Sequence, residues 1–208
     1  MKHFGDVVFT DRVKAEQELR GSREMYAGMT ARPAPNGIGD REAAFISMRD
    51  SFYMATVSED GWPYIQHRGG PRGFLKVLSD TKIGFADYRG NRQYVSVGNL
   101  KSEQRVSLFL MDYPNRARLK MLGHASVQEA EADPDLAAEL AIEGQGKVER
   151  LFTIEVEAFD WNCPQFITPR FDTEEMTGLV GPEISRLETR IAELEAELAS
   201  LRDTKERD

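Results

Sequence analysis

A single cysteine, Cys163, stands in 208 residues, so no disulfide can form within the chain. The three histidines, His3, His67 and His124, share no metal-ligand spacing and have no cysteine cluster beside them, so no metal site is expected. Hydrophobic runs are short as well. No stretch is long enough to span a bilayer, and the opening M-K-H-F-G-D-V-V-F-T-D lacks the apolar segment of a secretory signal, which makes a cytoplasmic location the expectation. Positive charge is not in excess. The 27 Lys and Arg stand against 35 Asp and Glu, a formal net charge of −8, and general nucleic-acid binding wants the opposite sign. Neither G-x-G-x-x-G nor a Walker-type loop occurs, which argues against a Rossmann domain or P-loop. No Ser–His–Asp or paired-carboxylate arrangement is legible.

What the chain does have is enough apolar material for a core, at 40% of residues. Residues 1–50 read as a loosely organised helical segment, interrupted where R-P-A-P-N-G-I-G crowds two prolines and two glycines together. Asp40 is placed to cap the helix that follows. From Ser51 to about residue 170 the pattern is β. The stretches S-F-Y-M-A-T-V-S, G-F-L-K-V-L, K-I-G-F-A-D, R-V-S-L-F-L-M-D, A-R-L-K-M-L-G-H-A-S-V and R-L-F-T-I-E-V-E-A-F-D-W read as strands, and E-D-G-W-P is an Asp-Gly hairpin signal. Short helices are expected over 93–103 and 133–143, the second with Pro134 in its first turn. Six or so antiparallel strands with few helices predict a mainly β, α+β fold built on a small barrel.

Residues 171–182 read as a linker, and 183–203 as a helix of a different kind. Ile184, Leu187, Ile191, Leu194, Leu198 and Leu201 alternate steps of three and four, with Arg190, Glu195, Glu197 and Arg202 at flanking positions. This is a coiled-coil seam for a second chain, or a helix packed on its own domain. The acidic segment before it, with Pro182, is unlike the basic arm of a DNA-binding zipper.

The chain is acidic, yet His67 to Arg92 carries six basic residues (Arg68, Arg72, Lys76, Lys82, Arg89, Arg92) against Asp80 and Asp87. Such a window marks a local anion site, although Lys82 and Arg89 also fit as solvated turn residues. In F-A-D-Y-R-G-N-R-Q, Arg92 stands where a strand passes into a helix, and free N–H groups there favour phosphate. Asn91 can cap that helix, and Gly90 lets the chain turn. Farther on, Arg116, Arg118 and Lys120 lie two apart and so share one strand face, either solvated or meeting an anion. His67 sits in the basic window and is a second candidate for a bound group. Trp161 fits a core position or a stacking one, and Cys163 fits a buried apolar position or a reactive one.

These segments carry a resemblance. The order and spacing of G-F-L-K-V-L, F-A-D-Y-R-G-N-R-Q, R-V-S-L-F-L and R-L-K-M-L-G resemble the FMN-binding split barrel of the pyridoxamine 5′-phosphate oxidase family. The agreement runs ungapped from Lys76 through Gln93. Through H-R-G-G-P-R-G-F-L-K and W-N-C-P-Q-F-I-T-P-R-F the chain is similar to that family's flavin-nucleotide-binding branch. The resemblance implies a homodimer with FMN at its interface and a small-molecule substrate. It implies Lys76 near the pyrimidine edge of the flavin ring, Ala86 and Asp87 beside the ribityl chain and phosphate, Arg92 and Gln93 as the phosphate clamp, and Arg118 as a flavin contact.

The departures are specific. Gln93 replaces a usual lysine, so the clamp has one charge fewer, with Arg89 or Arg118 to compensate. Pro71 stands where an arginine begins the flavin strand, with Arg72 or Arg68 as substitute. The oxidase's C-terminal Arg-x-His-Asp-Arg-like segment is absent, so oxidation of vitamin B6 is not expected. Three readings follow: an FMN-dependent oxidoreductase working through the flavin N5, a non-enzymatic flavin binder or sensor, and a haem-handling protein that would need His67 or His124.

Overall fold

Alternating apolar and polar residues, rich in β-branched and aromatic types, produce seven strands. They are β1 (Ser51–Val57), β2 (Pro63–Gly69), β3 (Lys76–Val77), β4 (Lys82–Tyr88), β5 (Arg105–Asp112), β6 (Ala117–Glu129) and β7 (Val148–Trp161). The structure, a computed structural model, describes residues 1–161 and 164–205, with backbone alone at 201 and 203–205. All seven strands join one sheet in the order β2-β1-β5-β6-β7-β4-β3, and every neighbouring pair is antiparallel. The sheet does not close. β2 and β3 end the order unpaired with each other, so the barrel is split there. With its helices the fold is α+β.

The helices are α1 (Phe4–Val8), α2 (Asp11–Leu19), α3 (Arg23–Thr30), α4 (Asp40–Ser47), α5 (Val95–Ser102), α6 (Pro134–Leu140) and α7 (Thr173–Lys205). The chain divides into two units, residues 1–112 with 116–166, and residues 113–115 with the segment from Ile167 onward. In the first unit the core lies on the inward face of the sheet. Phe52 and Met54 from β1, Leu108 and Leu110 from β5, Leu119 and Met121 from β6, and Phe152 and Ile154 from β7 are all buried. Phe85 stacks on Phe152 at 4.8 Å and meets Phe52 edge-on at 5.5 Å, so one aromatic cluster fastens β4, β7 and β1 together. Burial of each such side chain stabilises by about 1.5–3 kcal/mol. Trp161 packs edge-on to Phe45 at 4.8 Å and donates Nε1–H to Glu42 Oε1 at 2.7 Å, which places it against α4. Cys163 lies outside the described residues.

Several local expectations change. The strand expected over G-F-L-K-V-L shrinks to Lys76–Val77, because Gly73 adopts φ 82° and the Phe74 N–H donates to Pro71 O at 3.0 Å, turning 71–74 into a loop. The Asp60-Gly61 turn leads into β2, a strand missing from the expected set. Asp40 is the first residue of α4 and not its cap; Gly39 takes that place, and its N–H donates to Glu42 Oε2 at 3.2 Å. The stretch expected as a linker is helical from Thr173, through Pro182. There Glu175 N–H donates to Asp172 Oδ1 at 2.7 Å while Asp172 N–H donates to Glu175 Oε2 at 3.0 Å, a reciprocal box that starts the helix early. Asp133 and Pro134 open α6 as expected, with Leu136 N–H donating to Asp133 Oδ1 at 3.0 Å.

Gly123 sits at the register shift between β6 and β7. A Cβ there would stand 2.3 Å from Glu155 O, a backbone atom that cannot swing away. Gly123→Ala therefore has to part the ladder, and a loss of roughly 1–3 kcal/mol in urea unfolding is expected. An unchanged midpoint would mean that the two strands separate there at no cost.

Candidate functional site

A cleft of about 420 Å³ opens in the first unit where β2 and the end of β4 approach, although five positions separate those strands in the sheet order. Its walls come from β2 (Gln66, Arg68), from β4 (Ala86, Asp87), from the 90–94 turn and from the start of α5. A volume of this size is ordinary for a small-molecule or cofactor site.

Charge concentrates at one end. Arg68 Nη1–H donates to Asp87 Oδ1 at 2.8 Å. Arg150, opposite Asp87 on β7, donates Nε–H and Nη2–H to Oδ2 at 2.9 and 2.8 Å. One carboxylate thus holds two guanidiniums from two strands. Arg68 also lies 4.8 Å over the Phe152 ring, and burial pulls its pKa below the ordinary value even though Asp87 opposes this. For Arg150 burial pulls the same way and is the largest single influence, yet hydrogen bonds to Asp87 and Tyr94 outweigh it and the net shift is upward.

Beside this pair runs the turn before α5. Arg92 and Tyr94 adopt φ 62° and 54°, left-handed backbone that side chains seldom take. The left-handed conformation falls on these two, not on Gly90, where a Cβ would meet nothing within 4 Å. Asn91 Oδ1 accepts from Gln93 N–H at 3.2 Å, so Asn91 stabilises the turn and does not cap the helix. α5 begins at Val95 behind Tyr94, with no side-chain cap and no acidic residue in its first turn. Ser96 Oγ–H donates to Gln66 Oε1 at 2.7 Å, and Asn99 Nδ2–H donates to Thr56 Oγ1 at 2.9 Å; together these pin α5 to β2 and β1. Arg92 Nε–H donates to the Tyr94 hydroxyl at 3.3 Å, and Arg150 lies 4.6 Å over the same ring. Hydrogen bonds from Arg92 first and Arg150 second hold the Tyr94 phenol below its ordinary pKa.

Arg68, Arg92 and Arg150 face Asp87 among the charged residues lining the cleft, with Glu149 behind Arg150 at 3.2 Å, and a surplus of positive charge remains beside uncapped helix N–H groups. Arg68 Nε is buried with no hydrogen-bond partner. Such an atom costs about 1–3 kcal/mol unless something accepts from it. The donor set fits a phosphate.

Of the residues expected at the site, His67, Arg68, Ala86, Asp87, Asn91, Arg92 and Gln93 line this cleft. Arg72, Lys76 and Arg118 do not. Lys76 Nζ–H donates to Glu139 O at 2.6 Å. Arg118, on β6, lies 5.6 Å from the Phe109 ring with its Nε also buried and unpartnered, and Lys120 beside it pairs with Asp160 at 2.8 Å. Arg116 lies in the turn before β6 at φ 52° and so is not part of that strand face. Sequence reasoning missed Arg150, Tyr94, Gln66 and Ser96. Arg150 is 63 residues from Asp87, so only the β4–β7 register brings them together. His67 meets Tyr53 edge-on at 5.5 Å, and His124 pairs with Glu157 at 3.1 Å. Among the described residues no group of His, Cys, Asp and Glu could hold a metal ion, and no helix is long and apolar enough to cross a membrane.

The family model described as pyridoxamine 5′-phosphate oxidase matches residues 38–159, more than half of the chain. Among curated proteins no match was found. Solved structures resemble the chain more distantly. HupZ of Group A Streptococcus is 16% identical, covering 64% of this chain and 99% of its own, with a TM-score of 0.47. General Stress Protein 26 of Bacillus anthracis is 15% identical over 57% of this chain and 88% of its own, at 0.44. An FMN-binding protein from Syntrophomonas wolfei is 14% identical over 70% of this chain and 97% of its own, at 0.43. At these scores the structural likenesses carry no argument about function.

Removing the carboxylate tests the electrostatics directly. Asp87→Ala leaves Arg68 buried without a counter-charge and Arg150 with Glu149 alone, at 3.2 Å, and a stability loss of about 3–5 kcal/mol is expected. Urea unfolding with and without added inorganic phosphate measures it, phosphate restoring part of the loss. A loss below 1 kcal/mol would mean that water already screens the pair.

Proposed function

Because the chain belongs to the pyridoxamine 5′-phosphate oxidase family, we propose that the cleft binds FMN and that the protein is a flavin-dependent oxidoreductase acting on a small molecule. The observation that carries the reading is the surplus of guanidinium charge over Asp87 at the uncapped start of α5. A phosphate monoester carries about −1.5 to −2 charges at neutral pH, and the three arginines outnumber Asp87 and Glu149, the second 3.2 Å from Arg150, by one. Arg92 would take the phosphate from the solvent side, and Arg68 would offer its free Nε–H from below. Asn91 and Gln93 would hold the turn, and Ala86 would leave room for the ribityl chain. Flavin, when bound, supplies the two-electron chemistry; the protein supplies position and electrostatics.

Arg118 belongs to this proposal in a second way. The outward face of β2, β1, β5 and β6 carries Ile65, His67, Tyr53, Phe109 and Arg118, with Ile65 at 67% exposed. A homodimer formed through that face would cover the apolar residues. It would also bring Arg118, whose Nε lacks a partner, to a flavin held by the other copy. The side chains that read the substrate then come from both copies.

The first test is the visible spectrum of the purified protein, with the released cofactor identified by chromatography. Flavin absorption and released FMN are expected; a colourless protein that FMN cannot reconstitute would sink the assignment. Arg92→Ala is then expected to weaken FMN by about 1.5–3 kcal/mol, roughly ten- to a hundredfold in Kd, and to leave riboflavin affinity unchanged because riboflavin has no phosphate. Equal losses for both ligands would place the phosphate elsewhere.

A further inference from the structure

The second unit carries an apolar surface of its own. Along α7, Val180, Ile184, Leu187, Ile191, Leu194 and Leu198 form a single stripe, each 40–56% exposed. Six apolar residues in one row are costly to leave in water, and their spacing sets them at successive a and d positions of a heptad. Ile184, Ile191 and Leu198 occupy a; Val180, Leu187 and Leu194 occupy d. Pro182 and Thr189 fall at f, so their side chains face away from the seam, although Pro182 removes one backbone hydrogen bond inside the helix.

We propose that α7 pairs with α7 of a second copy of this chain as a parallel, in-register, two-stranded coiled coil. The core residues favour that state, since isoleucine at a with leucine at d selects two parallel strands. The charges select the same arrangement. In a parallel pair each g position faces the e position five residues onward in the other helix. Arg190 then faces Glu195, and Glu197 faces Arg202, and twofold symmetry doubles each attraction. The like-charged pair is Glu183 with Glu188; Glu183 is already bound within its own helix by Arg186, at 2.6 and 2.8 Å, and Arg190 likewise by Glu193 at 2.9 Å, so Arg190 would bridge Glu193 and the partner's Glu195. Antiparallel overlap of the same seam sets Glu188 against Glu195 as well as Arg190 against Glu197, so each attraction is offset by a repulsion. Register and direction thus follow from four side chains. This pairing stands independently of the cofactor.

The test reads the helix itself and not only the number of copies. In full-length protein carrying Cys163→Ser, a thiol is introduced at the seam by Leu187→Cys or on the outer face by Thr189→Cys. In the parallel pair the two copies of a d residue adjoin. In the antiparallel pair Leu187 lies opposite Leu198, which sets its two copies eleven residues, about 16 Å, apart along the coil. A disulfide needs Cα atoms within about 7 Å. Mild oxidation should convert most of Leu187→Cys, and little of Thr189→Cys, to a covalent dimer. Adding Arg190→Glu should cut the rate of that cross-link severalfold, and Glu195→Arg should restore it. No covalent dimer from Leu187→Cys, equal yields from both positions, or no rescue by the reversed pair would each overturn the proposal.

Discussion

Asp87 is the point on which the first unit depends. Its carboxylate binds Arg68 from β2 and Arg150 from β7, and so ties together two parts of a sheet whose ends never pair. All three side chains are largely removed from solvent, between 11% and 14% exposed. In such surroundings an unpaired charge is expensive, so the three hold one geometry. That geometry defines the floor of the cleft. The aromatic stack of Phe85 on Phe152 lies beneath it, with Arg68 over both rings.

The same arrangement leaves a donor set that the chain does not fully use. Asp87 and Glu149 answer two units of charge where three guanidiniums gather, and α5 begins without a capping side chain. Left-handed backbone at Arg92 and Tyr94 is the local cost of pointing the turn at this spot. A phosphate-bearing ligand would relieve the imbalance. The family match over 38–159 is the ground on which we propose a flavin nucleotide as that ligand.

Much of this is legible in the residues alone. The basic window, the F-A-D-Y-R-G-N-R-Q turn and the sense of Arg92 beside a helix start follow from residue types and local spacing, which reach only a few positions along the chain. Arg150 was not legible in that way, since its meeting with Asp87 rests on the pairing of β4 with β7. The reciprocal box of Asp172 and Glu175 is a local pattern too, yet 171–182 was expected as a linker and the box went unread. Sequence placed Lys76 and Arg118 at a flavin through resemblance. The fold of one chain sets both outside the cleft, because Lys76 is engaged with Glu139 O and Arg118 lies on β6, beyond β1 and β5.

The sequence by itself determined the α+β class, the basic turn before α5 and the heptad spacing of α7, because each is a periodic or local property carried by neighbouring residues. Tertiary structure alone decided which strands lie side by side, which arginines share Asp87, and which faces stay exposed. Those are long-range pairings, and their energies depend on burial that no short window of residues can report.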